Sequence, residues 1–215
     1  DEALIPSPHW FAYADPVQRA GARPVMVPTR AEDGYVPDPE RLREAVTPRT
    51  RLLILNTPHN PTGAVYPLEF LMAAAELAVQ HGFYILSDEV YEKLVYDGAR
   101  HVSIASLGDE IAARTITVNS VSKTHAMTGW RLGYAAMPLE LAQQVATLQN
   151  FSTSAPSAIS QRAALAALTG DQSHITHMVE AYTRRRAFVV ESLRGMPGLR
   201  LVPPRGTFYC FPSIE

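Results

Sequence analysis

Apolar positions along the chain gather into short runs, and longer amphipathic stretches separate them. Residues 3–5, 24–28, 51–56, 83–87, 115–119 and 132–136 are compact runs rich in Leu, Ile, Val or Thr and bounded by Gly, Pro, Asn, Asp or Ser; each predicts a strand. Helices are predicted between them over 16–22, from Pro37 to about Ala45, and from Pro67 to Gly82. Proline is tolerated near a helix start because its missing N–H would be unpaired there anyway. Gly82 supplies the stop of the last of these. On that helix Leu68, Leu71, Met72, Ala75 and Val79 share one face, the expected core face. A mixed region then runs to about Ala113. After Pro138 the pattern turns helical over 139–150, 156–168 and 175–193, with breaks that contain Ser, Thr or Gly. In the last helix Ile175, Met178, Tyr182, Val189 and Leu193 hold a stripe. Arg184, Arg185 and Arg186 in its middle read as a solvated face. Residues 199–203 and 207–211 predict a hairpin around Pro204, Arg205 and Gly206. The chain shows no internal repeat and no low-complexity segment.

Strands alternating with helices imply an α/β protein with a mostly parallel sheet, helices on both faces and right-handed crossovers. The late helices and hairpin imply a second, smaller unit. A chain of 215 residues with 47% hydrophobic content is enough for one sizeable domain and part of another. A net charge of −2 gives no electrostatic footprint for nucleic acid or an anionic membrane, so neither is expected as a partner. No apolar run reaches the roughly 18 residues of a membrane span and no signal peptide opens the chain, so a cytoplasmic protein is expected. Cys210 has no second cysteine to pair with and sits in an apolar run, which reads as core. His174 and His177 lie one helical turn apart without a third ligand, so no metal site is expected. The chain opens on Asp1 without Met and closes on a strand-like run to Glu215. Both ends are expected to be cut from something longer.

The run 115–119 empties into Ser120, Ser122 and Lys123, and Arg131 follows within Gly129-Trp-Arg-Leu-Gly133. A lysine just beyond the carboxyl end of a buried strand is badly placed for packing. It is well placed for chemistry, because ligands of open α/β sheets bind outside those ends. The two hydroxyls, the amine and the guanidinium suit an aldehyde cofactor that carries a phosphate. The amine would take the carbonyl as a Schiff base, and the guanidinium and hydroxyls would take the phosphate oxygens. A surface Lys and Arg flanking an ordinary turn fit the same short motif equally well. Two further stretches shift that balance. Asn56-Thr-Pro-His-Asn-Pro-Thr-Gly63 and Ser87-Asp-Glu-Val-Tyr91 each follow an apolar run. If the strands are parallel, all these polar ends face one crevice.

With these motifs in this order, the chain resembles the class I/II aminotransferases, the fold-type I pyridoxal-phosphate enzymes, over nearly its whole length. It looks most like the aspartate aminotransferase subgroup of bacteria and archaea. The resemblance implies pyridoxal 5′-phosphate as cofactor, with Lys123 as the Schiff-base lysine and proton carrier. That role needs a neutral amine near pH 7, which burial or a cationic neighbour such as Arg131 favours. Asp88 resembles the carboxylate that pairs with the pyridinium nitrogen; a strand-end Asp capping a turn is the plain alternative. Tyr91 and Asn60 resemble the pair that bonds the cofactor's phenolic oxygen, against a half-buried tyrosine and a turn asparagine. Arg131 with Ser120 and Ser122 resembles the phosphate grip. Trp10 resembles the aromatic that stacks on the cofactor ring, against a core tryptophan. His59 stands where relatives often carry Asn.

The same resemblance implies ping-pong transamination between an aspartate-like or aromatic L-amino acid and a 2-oxo acid, by a homodimer when full length. A pyridoxal-phosphate β-lyase and a cofactor-binding sensor domain of a transcription regulator share the fold. Residues 1–184 would be most of the large cofactor domain, and 185–215 the start of a small α+β domain. The long helix from His174 would bridge them. The Gly/Ala-rich phosphate turn would lie upstream and the arginine clamping the substrate α-carboxylate downstream. The chain alone should then bind cofactor weakly and turn over poorly. The Ser7–Pro8 and Asn60–Pro61 bonds are expected to be cis and the other prolines mostly trans.

Overall fold

The computed structural model describes residues 1–214. Glu215, where the strand-like run ends, lies outside the described residues. The strands are β1 (Glu2–Ser7), β2 (Arg23–Pro28), β3 (Thr50–Asn56), β4 (Tyr84–Asp88), β5 (Thr115–Ser120) and β6 (Gly133–Ala136), followed by the short β7 (Leu199–Leu201) and β8 (Pro212–Ile214). The helices are α1 (Ala14–Arg19), α2 (Pro39–Ala45), α3 (Leu68–His81), α4 (Asp109–Ala112), α5 (Val121–Thr124), α6 (Leu139–Ser152), α7 (Ala158–Thr169) and α8 (Ser173–Arg194). The first six strands form one sheet in the order β2-β1-β3-β4-β5-β6. All neighbours in it are parallel except β6, which runs antiparallel to β5. Every strand predicted for this sheet is present, with ends that differ by a residue or two. The chain leaves β1 to one side for β2 and then crosses to β3 on the other side. That reversal opens a crevice at the carboxyl ends of β1 and β3. Among the described residues no helix is long and apolar enough to cross a membrane.

Alternation along the strands divides the core into two layers. Leu4, Leu53, Leu55 and Ile85 face α3 and pack with Phe70, Leu71, Ala74, Leu77, Phe83 and Ile111. Ala3, Ile5 and Ile54 face the other way, against Val17 of α1. Helices therefore cover both faces, as a mostly parallel sheet requires. The N-terminus of α2 is capped by Asp38, which accepts from Glu40 N at 2.9 Å, with Pro39 in the first turn.

The structure corrects several sequence readings. α1 starts and stops earlier than the predicted 16–22, because Ala22 N turns back onto Val17 O and feeds β2. The core face of α3 is Phe70, Leu71, Ala74, Ala75, Leu77 and Ala78, while Leu68 and Met72 are 44% and 56% exposed. The predicted stripe is rotated from the buried face: it shares Leu71 and Ala75 with it but misses Phe70 and Leu77 as well as Ala74 and Ala78. The predicted hairpin is replaced by β7 pairing with β8, in the register Leu199↔Ile214 and Leu201↔Pro212. Residues 207–211 form no strand, because the neighbouring backbone is bonded elsewhere. Arg205 N and Gly206 N both donate to Gly63 O, at 2.8 and 2.9 Å, and Thr207 N donates to Leu94 O at 2.9 Å. Arg205 O accepts from Tyr96 N at 2.9 Å. Arg186 also leaves the solvated face assigned to it. Its side chain is only 14% exposed, pairs with Asp97 at 2.6 Å and donates to Pro204 O. Ser7–Pro8 and Asn60–Pro61 are cis as expected, and Thr57–Pro58 is a third cis bond that was not anticipated.

Gly63 has φ +72°, and a Cβ there would lie 2.2 Å from Pro204 Cβ. Gly82 has nearly the same φ, +73°, with nothing within 4 Å of such a Cβ. Gly63→Ala is expected to destabilise by about 2–4 kcal/mol in urea unfolding, from strain and clash together. Gly82→Ala should lose only about 1 kcal/mol. Equal losses would mean that the close approach of residues 204–206 places no demand on position 63.

Candidate functional site

In the β3–β4–β5 register, Asn56 sits beside Asp88 and Asp88 beside Val118. The polar residues beyond these strand ends therefore share one edge of the sheet. They enclose a cavity of about 430 Å³. Trp10, Asn60, Asp88, Tyr91, Ser120, Ser122, Lys123 and Arg131 all line it. So do Tyr13, Asn56, Asn119, Thr128 and Tyr209, for which the sequence suggested no role. A more open groove of about 600 Å³ lies along α3. Its charged lining is Glu76, Asp109 and Glu110, with no amine, imidazole or guanidinium.

The loop after β3 is held by its own polar side chains. Asn56 Nδ2 donates to Asp88 O at 3.0 Å, and Asn56 Oδ1 accepts from Asn60 N at 2.7 Å. One side chain thus ties the end of β4 to the residue that must face the cavity. Thr57 Oγ1 accepts from Tyr66 N at 2.9 Å, and His59 Nδ1 lies 2.7 Å from Thr62 Oγ1. His59 is fully enclosed, and burial, aided by the nearby His9, pushes its pKa down to about 3.

Asp88 is largely enclosed, and burial raises its pKa. Two donors oppose that rise: Tyr13 Oη donates to Oδ2 at 2.7 Å, and Val90 N donates to Oδ1 at 3.2 Å. Tyr13 itself is pushed above the usual phenol range, by burial first and then by the Asp88 charge. Its ring meets Trp10 edge-on, at 5.5 Å between centroids and 88°. Trp10 is 42% exposed, so it is a wall of the cavity rather than a core tryptophan. Behind Asp88, buried Glu89 accepts from Ser87 and Ser103 at 2.9 and 2.8 Å and pairs with His101 at 3.0 Å.

Tyr91 is buried, with its Oη 3.0 Å from Tyr209 Oη. Burial raises its pKa, the Tyr209 contact adds to the rise, and the amide of Asn60 works against it. Lys123 Nζ lies 6.0 Å from the Tyr91 ring centre and 5.5 Å from that of Phe208. Lys123 sits on α5, a single turn directly continuing β5. Ser120 caps that turn by accepting from Ser122 N at 3.0 Å, and its Oγ lies 2.7 Å from Ser122 Oγ and 2.9 Å from Leu132 O. Arg131 takes a left-handed φ of +52° and donates to Thr128 O at 2.8 Å, which returns its guanidinium to the cavity. His174 lies 3.1 Å from His125 and remains exposed, and Cys210 is a free, partly buried thiol. Tyr13 and Tyr209 escaped sequence reading because their partners lie 75 and 118 residues away in the chain.

The family model described as aminotransferase class I and II matches residues 1–215. The aspartate aminotransferase of Geobacillus stearothermophilus is 45% identical over 215 residues, covering 100% of this chain and 55% of that protein. The solved structure of the aspartate aminotransferase from Rhizobium meliloti superposes with a TM-score of 0.96 at 42% identity, covering 100% of this chain and 54% of that one. An aromatic aminotransferase from Pyrococcus horikoshii superposes with a TM-score of 0.95 at 45% identity, covering 99% and 57%. The chain spans about half the length of the curated relatives it matches.

A histidine held neutral by burial makes stability fall with acid, because the unfolded chain takes up a proton that the native state refuses. His59 should contribute this loss as pH drops below about 6.5, its unfolded value, and cease to add to it near pH 3. His59→Asn is expected to flatten the stability profile between pH 6 and 4 by up to about 1.4 kcal/mol per pH unit. An unchanged slope in urea titrations across that range would refute the assignment.

Proposed function

The chain belongs to the class I and II aminotransferases, and from that membership we propose that the full-length protein is a pyridoxal-phosphate-dependent transaminase. It would move an amino group between an L-amino acid, aspartate-like or aromatic, and a 2-oxo acid. The observation that carries this reading is the convergence of Lys123, Asp88, Tyr91, Asn60, Ser120, Ser122 and Arg131 on one cavity. A volume of about 430 Å³ suits one cofactor-sized molecule. The donor set fits pyridoxal phosphate group by group: an amine for a carbonyl, a carboxylate for a protonated ring nitrogen, and hydroxyls with a guanidinium for a phosphate. When bound, that cofactor supplies a carbonyl that captures amines and a ring that takes up electrons from the substrate α-carbon.

The chain's own residues would divide the remaining work. Lys123 Nζ holds the carbonyl end and, once released, takes up and returns the proton of the substrate α-carbon. Its place on a short turn at a strand end gives the amine reach without letting its root move. Asp88 supplies a negative acceptor for the ring nitrogen. Burial favours its neutral form, and the hydrogen bonds from Tyr13 and Val90 N keep the charged form available. Tyr91 and Asn60 donate to the phenolic oxygen. Ser120, Ser122 and Arg131 bind the phosphate, and Trp10 covers the ring face. We assign residues 1–184 to the large cofactor-binding unit and 185–215 to the start of a second. A homodimer of the full-length protein is supported by exposed apolar side chains on α6 to α8, among them Leu148, Phe151, Ile159 and Phe188.

The full-length protein, loaded with pyridoxal phosphate and given L-aspartate or an aromatic amino acid with 2-oxoglutarate, is expected to release glutamate. Pyruvate with ammonia from a substrate bearing a β-leaving group, and no glutamate, would identify a lyase instead. Absence of any turnover would favour a sensor.

Borohydride treatment of the loaded protein should fix the cofactor to the peptide that contains Lys123. Mass spectrometry that found the label on Lys93 would overturn the assignment of the lysine.

A further inference from the structure

We propose that Tyr209 is a positioning residue that acts through Tyr91: its hydroxyl donates to Tyr91 Oη, so that Tyr91's own proton is turned toward the bound cofactor. The proposal rests on the transaminase reading and adds to it a residue from beyond α8.

The two phenol oxygens are 3.0 Å apart, and either can be the donor. A phenol has one proton to give and can accept at the same oxygen. If Tyr91 gives its proton to an anionic oxygen, only Tyr209 can be the donor between the two. A hydroxyl that accepts a hydrogen bond is polarised into a better donor. Tyr209 would therefore strengthen the contact that Tyr91 makes without touching the cofactor's oxygen itself.

The surroundings hold the pair in this relation. Phe208 and Tyr209 both meet the Tyr91 ring near perpendicular, at 84° and 77°, with centroids 5.4 and 5.9 Å away. The Tyr91 ring is thereby braced while its hydroxyl stays directed at the cavity. Tyr209 N donates to Thr207 Oγ1 at 3.2 Å, and Thr207 is fully buried. Thr207 N is bonded to Leu94 O, and Tyr96 Oη donates to Thr207 O. The residues just after Tyr91 therefore grip the residues just before Tyr209. A tyrosine that merely filled space would need its ring and not its hydroxyl.

The test is a pH titration of the visible absorbance of the full-length, cofactor-loaded protein, for the parent, Tyr209→Phe, Tyr91→Phe and the double variant. A donor to the cofactor's oxygen stabilises its anionic form and lowers the pH at which the neighbouring proton leaves. Tyr209→Phe is expected to raise the midpoint by about half a pH unit, roughly threefold in proton affinity. Tyr91→Phe should raise it further, and the double variant should coincide with Tyr91→Phe, because Tyr209 acts only through Tyr91. If Tyr91→Phe moves the midpoint while Tyr209→Phe leaves it in place, or if the two shifts add, the proposal is overturned and the transaminase reading stands. If Tyr91→Phe leaves the midpoint in place, the role of Tyr91 and the proposal fall together while the transaminase reading stands; if the parent shows no visible band from bound cofactor, that reading falls as well.

Discussion

A parallel strand that runs out of the sheet leaves backbone groups that its neighbours no longer satisfy, and something polar must meet them. In β3, β4 and β5 this happens at one edge, because their register aligns their ends. Asn56 meets the demand with both halves of its amide, bonding Asp88 O and Asn60 N. Ser120 does the same at the end of β5, where it caps the turn that carries Lys123. The residue types that end these strands quietly are the ones that can also hold a ligand. Structure and chemistry therefore draw on the same short stretches.

Behind that edge lies a second layer of titratable groups that the cavity does not expose. His59 is kept neutral by burial, whereas Glu89 is accompanied by His101 and two serine hydroxyls. A buried carboxylate is tolerated only when its oxygens are occupied, and Glu89 has both engaged. This arrangement fixes the backbone next to Asp88, since Glu89 N also reaches across to Val118 O at 2.9 Å. The carboxylate that faces the cavity is thus set on a rigid strand end rather than on a loop.

Local pattern made the sheet legible. Runs such as 51–56, mostly apolar, and 115–119, mostly β-branched, are short and read as interior strands, and the polar groups that follow them stand out by contrast. Chemistry at strand ends could be read for the same reason. What stayed hidden depends on contacts between distant segments. Nothing near Tyr13 in the chain signals that its hydroxyl will find Asp88, and nothing near Tyr209 signals Tyr91. The failed hairpin has the same origin: its turn is captured by Gly63 O and Leu94 O, acceptors that only the assembled fold presents. On α3 the predicted face is turned about the helix axis from the buried one, since Phe70, Leu77, Ala74 and Ala78 face the core while Leu68 and Met72 lie outside.

The attachment of residues 204–207 also divides the molecule into parts that need not open together. This seam is made of a few backbone hydrogen bonds, two of them sharing Gly63 O, and the Arg186 guanidinium. The sheet beneath is bound by continuous ladders and a filled core. Although Pro204, Gly206 and Thr207 are buried, an attachment of so few hydrogen bonds opens at lower free energy than continuous ladders over a filled core. Exchange of the amide protons of Arg205, Gly206 and Thr207 would report such an opening, distinct from loss of the fold. Were that seam to open, Tyr209 would leave the cavity wall while every strand-end residue stayed where it was.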